Sequence, residues 1–208
     1  MQEAGGLTYN SVKRVVKDKG YAFFEQRNDM NLIAIRGPNL IAGDWDDTLC
    51  VLYKDENGSK KIKIFDEFTT DPGSFYLRNP APCCTGKGTA IVKPGQYRGL
   101  WMIGTHKGYP ALQQKKPITV YRDNNRDNRL DMEGTNSKLE SDQGKALFGI
   151  NLHHGGDAGS IGRYSAGCLV LRYRSDLEEL LDICQKQVDA GLGNSFTLTL
   201  IKESDLNL

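Results

Sequence analysis

Phe148 to Arg172, FGINLHHGGDAGSIGRYSAGCLVLR, is the stretch on which the reading of this chain turns. Its first apolar residues read as a buried strand that ends on two histidines, His153 and His154. A glycine-rich loop follows, and Ser165-Ala166-Gly167-Cys168 then leads into a second apolar run, Leu169-Val170-Leu171. Two short strands joined by a loop bring a thiol and an imidazole to neighbouring strand ends. Nucleophilic thiol catalysis needs that pairing: the imidazole takes the thiol proton and the thiolate attacks a carbonyl carbon. Of the three histidines in the chain, only His106 lies outside this segment. In an extended strand His153 and His154 point to opposite faces. His154 stands where the strand opens into Gly155-Gly156 and is the favoured base, with His153 as the alternative. The small residues before Cys168 let successive amides converge on an oxyanion. With such a partner Cys168 is expected to titrate below a free thiol's value of roughly 8.5. A buried structural cysteine is equally open on spacing alone.

Outward from this segment the texture is strands and turns. NLIAIRG, DTLCVLYK, KIKIF, GTAIVKPGQY, GLWMIGTH, KPITVYR and SFTLTLIK carry β-branched and aromatic residues between turn formers. Asn57-Gly58, between VLYK and KIKIF, predicts a hairpin closed by a type I′ turn. Two helices are expected. In TYNSVKRVVKDK (8–19) Val12, Val15 and Val16 recur at helical spacing behind a Thr8 or Asn10 cap, and Gly20 stops the run. In SDLEELLDICQKQVDA (175–190) Leu177, Leu180, Leu181, Ile183 and Cys184 share a face. Ser175 and Glu178 read as a capping box there, and Gly191 as the stop. Cys184 is therefore a core residue. The expected class is α+β, β-rich with peripheral helices: an N-terminal helical extension over 1–30 and a main domain over 31–208.

The gross numbers exclude several functions. At 208 residues the chain is long enough to bury its own core. A net charge of +1 implies neither nucleic acid nor an acidic membrane surface as partner. Mean hydropathy is −0.50, and no apolar run is long enough for a membrane span. The first residues lack the apolar centre of a secretory signal. Two compartments stay open: the cytoplasm, or the cell envelope or a phage particle if a leader has been removed. The five cysteines, Cys50, Cys83, Cys84, Cys168 and Cys184, are odd in number and fit no zinc spacing. Cys83-Cys84 reads as a pair of incidental loop thiols.

Strand-His-Gly, a glycine-rich loop, Ser-x-Gly-Cys and an apolar strand together resemble the catalytic domain of L,D-transpeptidases, the YkuD-like family. The longer run TTDPG, GTAIVKPGQY, IGTHKGYPAL, VYRDNNRD and FGIN is similar to YkuD-related proteins of phages and gut or marine bacteria, so the resemblance spans residues 65–175. Ala166 departs from it, standing where the family has a histidine. Val170 also departs, replacing a frequent Arg or Asn, with Arg172 two residues on. The resemblance implies a mixed β-sheet or sandwich domain. It implies a cysteine-dependent acyl transferase or hydrolase acting on peptidoglycan stem peptides, with no cofactor needed for catalysis. Cys168 would be the nucleophile in the motif opened by Ser165. His154 would be the base, oriented through a backbone carbonyl near Gly155, and the Gly167 and Cys168 amides would form the oxyanion hole. An amine acceptor gives crosslinking or exchange, and water gives carboxypeptidase or endopeptidase activity. A cysteine peptidase or amidase with another peptide substrate is an alternative. So is a non-catalytic wall-binding or virion protein that keeps the fold. Oligomeric state is not set by the sequence.

Around the motif, His106 and Tyr109 in IGTHKGYP follow a strand and could line a cleft. Arg163 and Tyr164 precede the motif and could meet a substrate carboxylate, and His153 could face substrate if His154 is the base. A lone loop histidine such as His106 is more often a surface residue, and a solvated loop explains Arg163 and Tyr164 equally well. A second constellation is Asp123-Asn124-Asn125-Arg126-Asp127-Asn128-Arg129-Leu130-Asp131. Asp123, Asn125, Asp127 and Asp131 occupy positions 1, 3, 5 and 9 of a calcium loop. Asn128 replaces the glycine at position 6, and Gly134 stands in place of the glutamate at 12. A polar turn or a structural calcium beside the cleft both fit.

Overall fold

Strand-forming residues dominate this chain, and the computed structural model, which describes residues 6–80 and 86–206, turns them into a strand-rich α+β fold with few helices. Cys83 and Cys84 lie outside the described residues. The strands are β1 (Asn31–Arg36), β2 (Asp47–Lys54), β3 (Lys60–Thr69), β4 (Thr89–Val92), β5 (Gly95–His106), β6 (Tyr109–Gln114), β7 (Thr119–Asp123), β8 (Ser137–Ser141), β9 (Leu152–His154), β10 (Leu169–Leu171) and β11 (Phe196–Lys202). The helices are α1 (Tyr9–Asp18), α2 (Ser74–Arg78) and α3 (Arg174–Asp189). Eight strands form one mixed sheet in the order β1-β11-β5-β6-β9-β10-β3-β2, and β4-β7-β8 form a separate antiparallel sheet. Only β1–β11 and β9–β10 run parallel within the large sheet. The expected mixed sheet is present, and it closes on itself as a barrel in place of a sandwich, which leaves its strands no open edge.

Alternation along the strands sorts the interior. Leu32, Ala34, Leu49, Val51, Leu198 and Leu200 turn to the main core, which Leu177, Leu180, Ile183 and Cys184 of α3 complete. Ile33, Ile35, Cys50, Leu52 and Ile201 turn the other way and are covered by Tyr9, Val12, Val15 and Val16 of α1. Thr8 caps α1: its Oγ1 accepts the Ser11 N–H at 3.1 Å, and Ser11 Oγ accepts the Thr8 N–H at 2.9 Å. At α3 the cap falls on Tyr173, which makes no side-chain capping bond, and Ser175 lies inside the first turn. Glu178 accepts from Arg174 Nε at 2.8 Å and so does not close the expected capping box.

The β2–β3 hairpin is present, but only Gly58 of its Asn-Gly pair has positive φ (83°). Asp55 closes a longer loop by accepting the Asn57 and Ser59 N–H groups, which displaces the two-residue type I′ turn. Both central residues have positive φ instead at Lys107 (51°) and Gly108 (87°), between β5 and β6. Among the described residues no helix is long and apolar enough to cross a membrane.

Candidate active site

The parallel pair β9–β10 aligns Leu169 with Leu152, Val170 with His153 and Leu171 with His154. Leu152, Leu169 and Leu171 belong to the main core, so alternation puts Asn151, His153, Cys168 and Val170 together on the opposite face. The Leu169 N–H donates to Asn151 O at 2.9 Å, which sets Cys168 beside Asn151 and one diagonal step from His153. His154, the favoured base from sequence, takes the other side of its strand, and its Nδ1 accepts the Gly156 N–H at 3.0 Å. The strand period thus puts His153, and not His154, on the face that carries Cys168.

The hydrogen bonds fix both relevant imidazole tautomers. His153 Nδ1 lies 2.9 Å from His154 O, an acceptor only, so Nδ1 carries the proton and Nε2 the lone pair. That Nε2 is buried and has no hydrogen-bond partner among the described residues. The carbonyl that orients the His153 ring is thus that of His154. The His106 ring stacks on His153 at 4.5 Å between centroids and 5° between planes. Asn151 Oδ1 accepts the Gln114 N–H at 2.8 Å, so its Nδ2 faces His106 Nδ1, also at 2.8 Å. His106 Nδ1 is therefore an acceptor, and its Nε2 bears the proton. Burial, then the neighbouring His106, His154 and Lys107 charges, hold the His153 pKa down to about 4. Burial and Lys107 also lower that of His106.

Cys168 departs from the expected activated thiol. Its Sγ–H donates to Gly149 O at 3.4 Å, and neither His153 nor His154 hydrogen-bonds it among the described residues. Burial pushes the thiol pKa above its ordinary value, partly offset by the Asn151 backbone N–H and the Lys107 charge. The expected oxyanion hole is half engaged. Gly167 N–H donates to Ser165 Oγ at 3.1 Å, while Ser165 Oγ–H donates to Cys168 O at 2.7 Å. Fully buried Ser165 thus braces the turn. The Cys168 amide keeps no partner among the described residues. Gly167 is required by space: at φ 130° a Cβ there would lie 2.7 Å from Ala90 Cβ and 2.8 Å from Ala90 O. Gly155 packs against the Trp45 ring and donates its N–H to Leu171 O at 2.7 Å.

Cys168 lines a cleft of about 580 Å³ together with His106, Lys107, Phe148, Arg163, Tyr164 and Ala166. An adjoining hollow of about 300 Å³ shares His106, Lys107, Arg163 and Tyr164 and adds Tyr109, His153 and His154. The structure therefore gathers all the substrate-contact candidates along one continuous surface. Lys107 makes no ion pair among the described residues, and the Arg163 guanidinium lies 3.9 Å over the Phe75 ring. Glu140, which also lines the cleft, is neutralised by Lys87 at 2.6 Å and Arg122 at 2.7 Å. The cleft keeps a cationic surplus suited to carboxylates. Asn151 and Lys107 were missed from sequence; Asn151 stands two residues before His153 on the same face, so strand alternation alone could have found it.

Two acidic groups lie outside the cleft lining. Asp123, Asn125, Asp127 and Asp131 lie in and after the end of β7. Among the described residues it is Asp46, Asp47 and Asp71 whose carboxylate oxygens converge, within 4.8 Å of one another. In that second group, however, Arg36 pairs with Asp71 at 3.2 Å, and Asp47 accepts from Gly37 N, Thr70 N and Thr70 Oγ1. These bonds satisfy a buried structural network. Compared with protein-family models, curated proteins and solved structures, the chain matches none of them, so the chemistry of the cleft is judged on its own geometry.

Proposed function

We propose that this protein is a cysteine acyl transferase or hydrolase of peptidoglycan stem peptides, on a fold of YkuD-like type. The observation that carries the reading is one face of β9–β10 holding Cys168 and His153, with the His153 Nε2 lone pair unclaimed, beside a cleft rich in cations. As substrate binds, the Cys168 S–H proton passes to His153 Nε2 and sulfur bonds to the carbonyl carbon. The scissile C–N bond breaks, and the leaving amine takes the proton from His153. An amine or water then attacks the thioester, gives its proton to Nε2 and frees the thiol. The Cys168 amide and the His106 Nε2–H are the donors available to the developing oxyanion. His106 thereby supplies from β5 the imidazole that Ala166 omits from the motif. Lys107 and Arg163 would hold free carboxylates of the stem peptide.

A resting thiol that is protonated and bonded to a carbonyl favours a second reading, a wall-binding protein without catalysis. Intact-mass spectrometry after incubation with a tetrapeptide-stem muropeptide separates the two. The acyl-transfer reading expects wild type to gain the acyl mass and Cys168→Ala to gain none. No adduct on wild type, with wall binding that survives Cys168→Ala, establishes the second reading in its place.

A further inference from the structure

Both ends of the buried Asn151 side chain are committed, one to the backbone of β6 and one to the His106 ring. We propose that Asn151 is a positioning residue: it holds His106 neutral with the ring proton on Nε2, so that His106 donates to the oxyanion without opposing the charge that forms on His153. That catalytic role rests on the acyl-transfer reading; the tautomer of the ring does not.

The amide is not free to turn over. Its Oδ1 accepts the Gln114 backbone N–H at 2.8 Å, which leaves Nδ2 to meet His106 Nδ1, also at 2.8 Å; the reverse orientation would set donor against donor at Gln114. Gln114 is clamped in turn. Its Oε1 accepts the Ile150 N–H at 2.6 Å, and its Nε2 donates to Lys116 O at 2.9 Å and to Asp142 Oδ2 at 2.7 Å. Asp142, fully buried, also accepts the Ile118 and Phe148 N–H groups. From β5, Trp101 Nε1–H donates to Ile150 O at 2.8 Å. A buried network in which these groups are satisfied specifies one arrangement of its members.

A donor fixed against Nδ1 blocks protonation there, so His106 is a neutral ring whose Nε2–H is its one donor. Such a donor stabilises a developing oxyanion without reorganising at the moment of reaction. Neutrality matters as much as direction. His106 stacks on His153 at 4.5 Å, and Lys107 follows it in the chain. A second positive ring at that distance would oppose transfer of the Cys168 proton to His153. Burial and the Lys107 charge, which lower the His106 pKa, act in the same sense.

Long-range proton–nitrogen NMR of the histidine rings in the full chain at neutral pH, with Asn151→Asp beside wild type, tests this. Wild type should show the His106 proton on Nε2 and none on Nδ1. In Asn151→Asp one carboxylate oxygen keeps the Gln114 bond and the other accepts from His106, so Nδ1 should become protonated. The saturating rate at which a tetrapeptide-stem muropeptide acylates Cys168 should then fall by about a hundredfold, the cost of one lost oxyanion donor, with the half-saturating concentration within about threefold of wild type's. A wild-type proton on Nδ1 overturns the assignment and requires no variant to fold. An unchanged tautomer in Asn151→Asp overturns it too, as does a moved tautomer with an undiminished rate. A wild type that resists acylation overturns the acyl-transfer reading itself and, with it, the catalytic role of Asn151.

Discussion

Lowering the pH should destabilise this protein through His153. In the native state burial holds the ring's pKa at about 4, against 6.5 for an ordinary histidine. Between those values the unfolded chain binds a proton that the native state refuses, so stability is complete above pH 6.5 and is lost as pH falls toward 4. The gap is worth about 3 kcal/mol. Near the middle of the window it gives a slope of about 1.2 kcal/mol per pH unit. Urea unfolding followed by tryptophan fluorescence from pH 7.5 down to about 4.5 measures this slope directly. His153→Gln removes the titrating ring while leaving the other groups in place. The wild-type curve should fall more steeply than the variant's by about that slope, whatever the variant's own stability. Parallel curves would refute the assignment of a buried, neutral His153, and with it the free Nε2 lone pair required of the base.

Gly167→Ala forces a Cβ to 2.7 Å from Ala90 Cβ at a φ of 130°. Backbone strain and overpacking together should cost about 2–5 kcal/mol, read as a drop in the urea midpoint; a loss under about 0.5 kcal/mol would mean that the turn relaxes freely. Alkylation of Cys168 by iodoacetamide should keep accelerating with pH past a free thiol's value of about 8.5. A plateau below pH 8 would show a thiolate stabilised at rest, contrary to the burial and the Gly149 bond.

The sequence by itself determined the strand-rich class, because β-branched and aromatic runs between turn formers have little alternative, and the amphipathic helices α1 and α3, whose apolar spacing is local. It also determined the bringing together of Cys168 with the double histidine, since two short apolar runs joined by a loop pair readily. Local chemistry misled where a competing side chain intervened: Asp55 captured the turn that Asn57-Gly58 advertised, and the α3 boundary moved ahead of Ser175. Tertiary structure alone decided which histidine shares the thiol's face. The choice depends on the β9–β10 register, and register is fixed by burying Leu152, Leu169 and Leu171 in a core that distant strands complete. It also decided the protonation of the thiol and the gathering of His106 and Lys107 at the cleft. Burial and the approach of residues remote in sequence are properties of the closed barrel, and no local pattern in the chain records them.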